Sequence, residues 1–223
     1  DLRQMLGLEV GLLRIGAGPY PADLSVGTAV GRLVRRHPSL LVDLSVADWS
    51  ELIKRVVSGE LELAIADTGV ARQDDRLLAE SLPQHKVSFF CRTDHPLAGL
   101  AALSLQELRE FPLVGTALPP QLAALAAKNK TGMRASLPDG VTAPEIRVDT
   151  FALARRIVME SDAVGAAVPS QIKDSAAQGE LVILPLDLPW LKTGYGIIRL
   201  ANRTPSPAAM AFIEILREVE AGI

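Results

Sequence analysis

Apolar and polar positions along the chain alternate between two periods, one of about two residues and one of about 3.6. "LLRIG" (12–16) is a short apolar run that predicts a buried strand, and after it Val26, Val30, Leu33 and Val34 share one helical face. "HP" (37–38) stops that helix, because proline disfavours helical backbone in the residue before it. In "LLVDLSV" (40–46), Leu40, Val42, Leu44 and Val46 fall on one side, as in a strand. Ser50 is placed to cap a short helix with Leu52, Ile53, Val56 and Val57 on its apolar face and Gly59 at its end. Leu61, Leu63 and Ile65 then alternate up to Asp67.

The same reading continues through the second half. "VSFFC" (87–91) and "PLVGT" (112–116) read as strands, and Ser104 with Glu107 has capping-box spacing, flanked by Leu103 and Leu108 as a staple. Residues 119–130 predict a helix opened by prolines, and 131–144 a long loop. "EIRV" (145–148) predicts a strand and Asp149 an N-cap, followed by a helix over 150–160 with Leu153, Ala154, Ile157 and Val158 inward. Further strands are expected at 163–169, 181–186 and 195–200. Ser206-Pro207 opens a final helix that carries Phe212, Ile215, Leu216 and Val219. This alternation of strand and helix implies an α/β fold with mainly parallel strands.

Composition narrows the function. At 223 residues and 48% hydrophobic, the chain can fill one large core or two small ones. A net charge of −3 and a pI near 5.7 lack the basic surface that phosphate backbones demand. "RLVRRHP" (32–38) is basic, but it falls at a helix C-terminus, where cations complement the dipole. Cys91 is the single cysteine, which fits a reducing compartment, and no signal peptide or membrane-length apolar run is present. A cytoplasmic location with no membrane association is the expectation.

Candidate chemistry is sparse. "IADTG" (65–69) resembles the way an aspartic protease presents its carboxylate, but that chemistry needs two acids sharing a proton. The chain has one such motif, among strands that alternate with helices, so Asp67 reads first as a strand terminus. Cys91 and His95 have no third orienting group to make a nucleophile–base pair. The spacing of His37, His85 and His95 gives no metal motif, and neither a cofactor nor catalysis is expected.

"GLLRIGAGP" (11–19), "RRHPSLLVDL" (35–44), "VVSGELELAIAD" (56–67), "CRTDHPLA" (91–98), "SLQELREFPLV" (104–114), "SDAVGAAVP" (161–169) and "SPAAMAFIEILR" (206–217) together resemble the effector-binding domain of LysR-type transcriptional regulators. The resemblance runs in family order over nearly the whole chain. It implies two Rossmann-like subdomains joined by two crossing segments, similar to type 2 periplasmic binding proteins, with a small-molecule effector in the inter-lobe cleft. By analogy, subdomain I spans 11–88 plus 195–223 and subdomain II spans 89–194. Residues 1–10 look like the end of a linker from an N-terminal winged helix-turn-helix, through which alone DNA would be bound. The family also implies homodimers, and tetramers of the full-length protein. A free-standing solute receptor for a transporter shares the fold and is the alternative, and an α/β enzyme is a third class.

In open parallel sheets, ligands sit beyond the carboxyl ends of the strands. That rule selects Gly18, Pro19, Tyr20, Asp48, Trp49, Ser50, Asp67 and Thr68 from the first subdomain. From the second it selects Gly115, Thr116, Asp149, Thr150, Phe151 and Pro169. Helix N-termini there suit a ligand carboxylate, and Tyr20, Trp49 and Phe151 could wall a ligand. Ser50 and Asp149 read equally as caps of their own helices, and Trp49 as a packing residue. Many members carry Ser or Thr where Gly18 and Tyr20 stand, and Asp48 and Asp67 add negative charge. A neutral or amine-bearing effector is therefore an expectation alongside an anionic one.

Overall fold

The computed structural model describes residues 11–118, 123, 128, 130, 131, 134, 135, 141 and 143–223. The chain divides into two units, with exchange points after Gln84 and Thr193 rather than after 88 and 194. The first unit begins with β1 (Leu12–Ala17), α1 (Gly27–Arg36), β2 (Leu41–Val46), α2 (Trp49–Val57), β3 (Leu63–Ala66) and β4 (Leu77–Ser81). The second unit opens with β5 (His85–Lys86), β6 (Ser88–Arg92), α3 (Leu105–Leu108) and β7 (Leu113–Gly115). It continues through β8 (Lys130–Thr131), β9 (Arg134–Ala135), β10 (Ile146–Arg147), α4 (Phe151–Met159) and β11 (Val164–Ala167), and ends in α5 (Lys173–Ala177), β12 (Leu181–Ile183) and β13 (Lys192–Thr193). The chain then returns to the first unit as β14 (Gly196–Leu200) and α6 (Pro207–Glu220).

Each unit is built on a five-stranded sheet, ordered β2-β1-β3-β14-β4 in the first and β10-β7-β11-β6-β12 in the second. In each, three strands run parallel, while the strand formed just after the chain enters the unit runs antiparallel to both its neighbours. Because β4 and β12 pair antiparallel to that strand, they run with the other three, so each sheet is mixed in its pairing while four of its five strands share one direction, as the mainly parallel expectation has it. β14 and β6 enter without a helical crossover from a neighbouring strand, so the rule that favours parallel pairing does not govern them. β4, which has no alternating apolar signal, is formed by its pairing to β14.

Burial explains why "FF" in β6 reads as a continuous apolar run. Phe89 and Cys91 join the core on one side of the sheet, and Phe90 joins the core on the other. A strand covered on both faces needs apolar residues at every position. In the first unit, Leu52 and Val56 of α2 pack with Ala64, Ala66 and Ile198, while Leu13, Ile15, Leu63 and Ile65 are fully buried. α1 and α6 pack on each other, and Phe212, Ile215 and Leu216 supply the buried face of α6.

Caps differ in detail from expectation. Ser206 accepts from the Ala209 amide, and the Ser104–Glu107 box closes in both directions. α2, however, is capped by Asp48 and not Ser50, and α4 by Thr150 and not Asp149. The chain leaves α2 through Gly59 at φ 77°, a left-handed conformation that glycine adopts freely. Leu153 is 53% exposed, contrary to the inward face expected of it. Val46 is exposed too, since β2 is the sheet edge. Most of the expected 119–130 helix and 131–144 loop lies outside the described residues. Within that stretch Lys130–Thr131 pairs antiparallel with Arg134–Ala135.

Candidate functional site

In the first unit, three strand-end loops lie side by side. Ala17 registers with both Val46 and Ile65, which brings together the residues that follow each strand. The Gly18 amide donates to the Ile65 carbonyl at 2.8 Å, and the Ala47 amide to Ala17 at 3.1 Å. Gly18–Tyr20, Asp48–Ser50 and Asp67–Thr68 thus form one locus, as the strand-end rule anticipates. Gly18 is buried, and Pro19, Tyr20, Trp49, Ser50, Asp67 and Thr68 are half-buried.

The local hydrogen bonds limit what this locus can receive. Asp48 Oδ1 accepts from the Ser50 amide at 2.8 Å, the Ser50 hydroxyl at 2.6 Å and the Glu51 amide at 3.1 Å. Ser50's hydroxyl bond and these amides hold the Asp48 carboxyl below the usual range. The N-terminus of α2, an anion receptor in principle, is filled by the protein's own carboxylate. Asp67 Oδ1 accepts from the Gly69 amide at 2.9 Å and closes a tight Asx turn. The helical segment after Gly18 begins Pro19-Tyr20-Pro21, so two of its first three residues have no N–H to offer. Burial pushes the Tyr20 phenol upward, with the charge of Asp23 adding to the shift. Trp49 packs against the apolar cluster under α2.

In the second unit, β7, β10 and β11 bring a second set of loops together. Gly115 registers with Arg147, Val114 with Gly165, and the Val148 amide donates to Gly115 at 3.1 Å. Gly115 ends β7 and the buried Thr116 follows it, Asp149 and Thr150 follow β10, and Pro169 opens the turn after β11. Asp149 and Thr150 are exposed, and Thr150 Oγ1 accepts from the Leu153 amide at 3.3 Å. Phe151, expected as a ligand wall, is a core residue. It is 6% exposed and packs in the core, tilted against Phe90 with ring centroids 6.0 Å apart.

Nucleophile and base chemistry finds no assembly around Cys91. The thiol is buried, and burial pushes it up to about 11, with Arg92 opposing. His95 uses both ring nitrogens structurally: Nδ1 accepts from the Leu97 amide at 3.0 Å, which leaves Nε2 to donate to the Asp162 carbonyl at 3.2 Å. Its ring also packs on Phe111 at 4.5 Å. Among the described residues, no group of three His, Cys, Asp or Glu side chains is placed to hold a metal, and no helix is long and apolar enough to cross a membrane.

One buried polar group was not anticipated from the sequence. The Tyr195 hydroxyl donates to Glu220 Oε1 at 2.7 Å and lies 3.4 Å from Ser25 Oγ. Burial pushes the Tyr195 phenol upward; the Ser25 bond opposes this, and the bond and charge of Glu220 add to it. The only sequence signal was the glutamate at 220, on the same face as Phe212, Leu216 and Val219 of an apolar helix.

Comparison with known proteins agrees with this architecture. The family model described as the LysR substrate binding domain matches residues 7–221. The "SDS degradation transcriptional activation protein" of Pseudomonas sp. (strain ATCC 19151) is 34% identical over 223 residues, covering 98% of this chain and 70% of that protein. The "HTH-type transcriptional regulator GalR" of Pseudomonas putida is 27% identical over 98% of this chain, which spans 54% of that relative's length. Among solved structures, the regulatory domain of the LysR family regulator MetR from N. meningitidis superposes with a TM-score of 0.71 at 16% identity, covering 95% of this chain and 94% of that one. The chain therefore belongs to the LysR substrate-binding domain family and has the type 2 periplasmic-binding-protein-like fold of an effector-binding domain of a transcriptional regulator.

Proposed function

We propose that this chain senses a small metabolite through its strand-end loops and passes the signal to a DNA-binding part of the same protein that lies outside it. The observation that carries this reading is the family match over residues 7–221. Gly18–Tyr20, Asp48–Ser50, Asp67–Thr68, Gly115–Thr116, Asp149–Thr150 and Pro169 are the proposed contact segments. Phe151 acts only through the core beneath them. The protein acts in the cytoplasm as a homodimer and catalyses no reaction. A ligand shifts such a regulator only by binding one arrangement better than another.

The first unit's loops favour a neutral or cationic ligand group. Asp48 already fills the α2 N-terminus, Pro19 and Pro21 remove donors, and Asp67 adds negative charge. A second reading follows from the relative named for activating SDS degradation, which makes an alkyl sulfate a candidate effector. A thermal-shift screen separates the two, using primary amines, sugars and alcohols, monocarboxylates, and octyl sulfate below its micelle concentration. Saturable stabilisation by an amine that Asp67→Asn abolishes supports the first reading. Stabilisation by octyl sulfate or a carboxylate, indifferent to Asp67→Asn, overturns it.

A further inference from the structure

Tyr195, Glu220 and Ser25 are 4%, 2% and 0% exposed, yet each comes from a different part of the first unit. Tyr195 is the second residue after the chain re-enters that unit, Glu220 ends α6, and Ser25 lies in the segment Ala22–Val26. A carboxylate buried this deeply is costly unless it is hydrogen-bonded, and the Tyr195 hydroxyl meets it at 2.7 Å. The same hydroxyl reaches Ser25 Oγ at 3.4 Å, so one phenol links the re-entering strand, the last helix and the first helical segment.

Ala22–Val26 is a π-turn, closed by the Gly27 amide bonding to the Ala22 carbonyl five residues back. Such turns insert one extra residue into a helix and concentrate at functional positions. This one follows directly on the Gly18–Tyr20 loop, since the Ala22 amide donates to the Gly18 carbonyl at 3.0 Å. A Cβ on Gly27 would come within 3.3 Å of the Ala22 carbonyl, so the glycine permits the closing contact. Rewinding the turn as α-helix would move the preceding loop by roughly one residue, about 1.5 Å along the axis and about 100° around it.

We propose that the Ser25–Tyr195–Glu220 relay is a latch that holds this π-turn, and that it thereby positions the Gly18–Tyr20 loop, which shifts register when the latch opens. The latch stands on the geometry alone, while its consequence for an effector rests on the function proposed above. Tyr195 and Glu220 are positioning residues, since neither lies in the loop. Tyr20 of the loop also adds to the upward shift of the Tyr195 phenol.

Amide hydrogen exchange on the 223-residue chain, without any ligand, tests it. Tyr195→Phe removes only the hydroxyl, and it is expected to speed exchange at Leu24–Gly27 on the order of tenfold while β1 and β3 keep their protection. Glu220→Gln retains an acceptor oxygen and changes the segment less. Ser25→Ala gives the same local pattern at smaller size. In the Tyr195→Phe/Ser25→Ala double variant the Ser25 effect disappears, because the two side chains share one bond. Unchanged exchange at Leu24–Gly27, an equal rise in β1 and β3, or simple additivity overturns the proposal. Should Tyr195→Phe fail to fold, Ser25→Ala decides by the same criterion. No effector enters the experiment, so a failed effector screen leaves this result standing, and a flat exchange profile overturns the latch without touching the effector reading.

Discussion

Replacing Asp48 asks whether the first unit's most conspicuous acid serves the fold or a ligand. Its Oδ1 accepts two backbone amides and the Ser50 hydroxyl at the head of α2. That helix carries Leu52 and Val56, both fully buried, into the core. Losing a cap of this kind costs about 1 kcal/mol, within a range of about 0.5–2. In a chain of this size that lowers Tm by about 2–4 °C. Asp48→Ala should show that full loss in a thermal melt at pH 7, and Asp48→Asn only a few tenths of it, because asparagine caps nearly as well. The pH dependence has a definite sign. The folded-state pKa is lowered, first by the Ser50 hydroxyl bond and then by the Glu51 amide, so the carboxylate's contribution is present above the unfolded value of about 3.9 and is lost as pH falls through the lower folded one. The gap between wild type and Asp48→Asn should therefore close below about pH 4. An unchanged melt in Asp48→Ala, or an asparagine variant as damaged as the alanine one, would refute the capping assignment.

Other substitutions test the packing and the chemistry. Phe151→Ala should cost about 3–5 kcal/mol in urea unfolding because the ring fills the core beside Phe90, and a loss below about 1 kcal/mol would contradict that placement. Gly196→Ala would drive a Cβ into the Glu80 carbonyl and within 2.7 Å of Thr68 Cγ2, so β14 and β4 must part, and a marked drop in Tm with loss of β4 amide protection is expected. Gly18→Ser should still fold, since its Cβ would stand 3.6 Å from Pro21 in ordinary contact and the backbone there is extended, but a hydroxyl left unsatisfied at this buried position should cost about 1–3 kcal/mol in the melt. Cys91 should resist a thiol reagent at pH 8 in the native protein and react at once in denaturant, because burial keeps it protonated up to about 11; prompt native reaction would contradict its placement.

Much of the fold was legible because it rests on long apolar patterns. β1, β3, β6 and β14 carry runs that only a buried strand explains, and α6 repeats its apolar residues at helical spacing over fourteen residues. The direction of β6 and β14 was not legible. Periodicity records which face is buried, and a strand buried on both faces looks the same whether its neighbours run with it or against it. β4 escaped for the complementary reason: it is an edge strand ending in Glu80-Ser81, and its pairing with β14 outweighs its own weak propensity.

The strand-end loops were legible as places, and the part each side chain plays in them was not. Strand ends predicted from apolar runs led to Gly18, Asp48, Asp67, Thr116 and Thr150. What each does depends on choices one or two residues apart. Asp48 and Ser50 are both good caps, as are Asp149 and Thr150, and the structure selects Asp48 in one pair and Thr150 in the other. Those selections carry chemical weight. With Asp48 as cap, the helix end that would receive an anion is already neutralised, and Ser50's hydroxyl is spent on the same carboxylate. With Thr150 as cap, the N-terminus of α4 keeps an uncharged cap, and Asp149 is left exposed beside it. The two helix ends thus differ in what caps them, a carboxylate at α2 and a hydroxyl at α4, a distinction of charge that residue types alone did not contain.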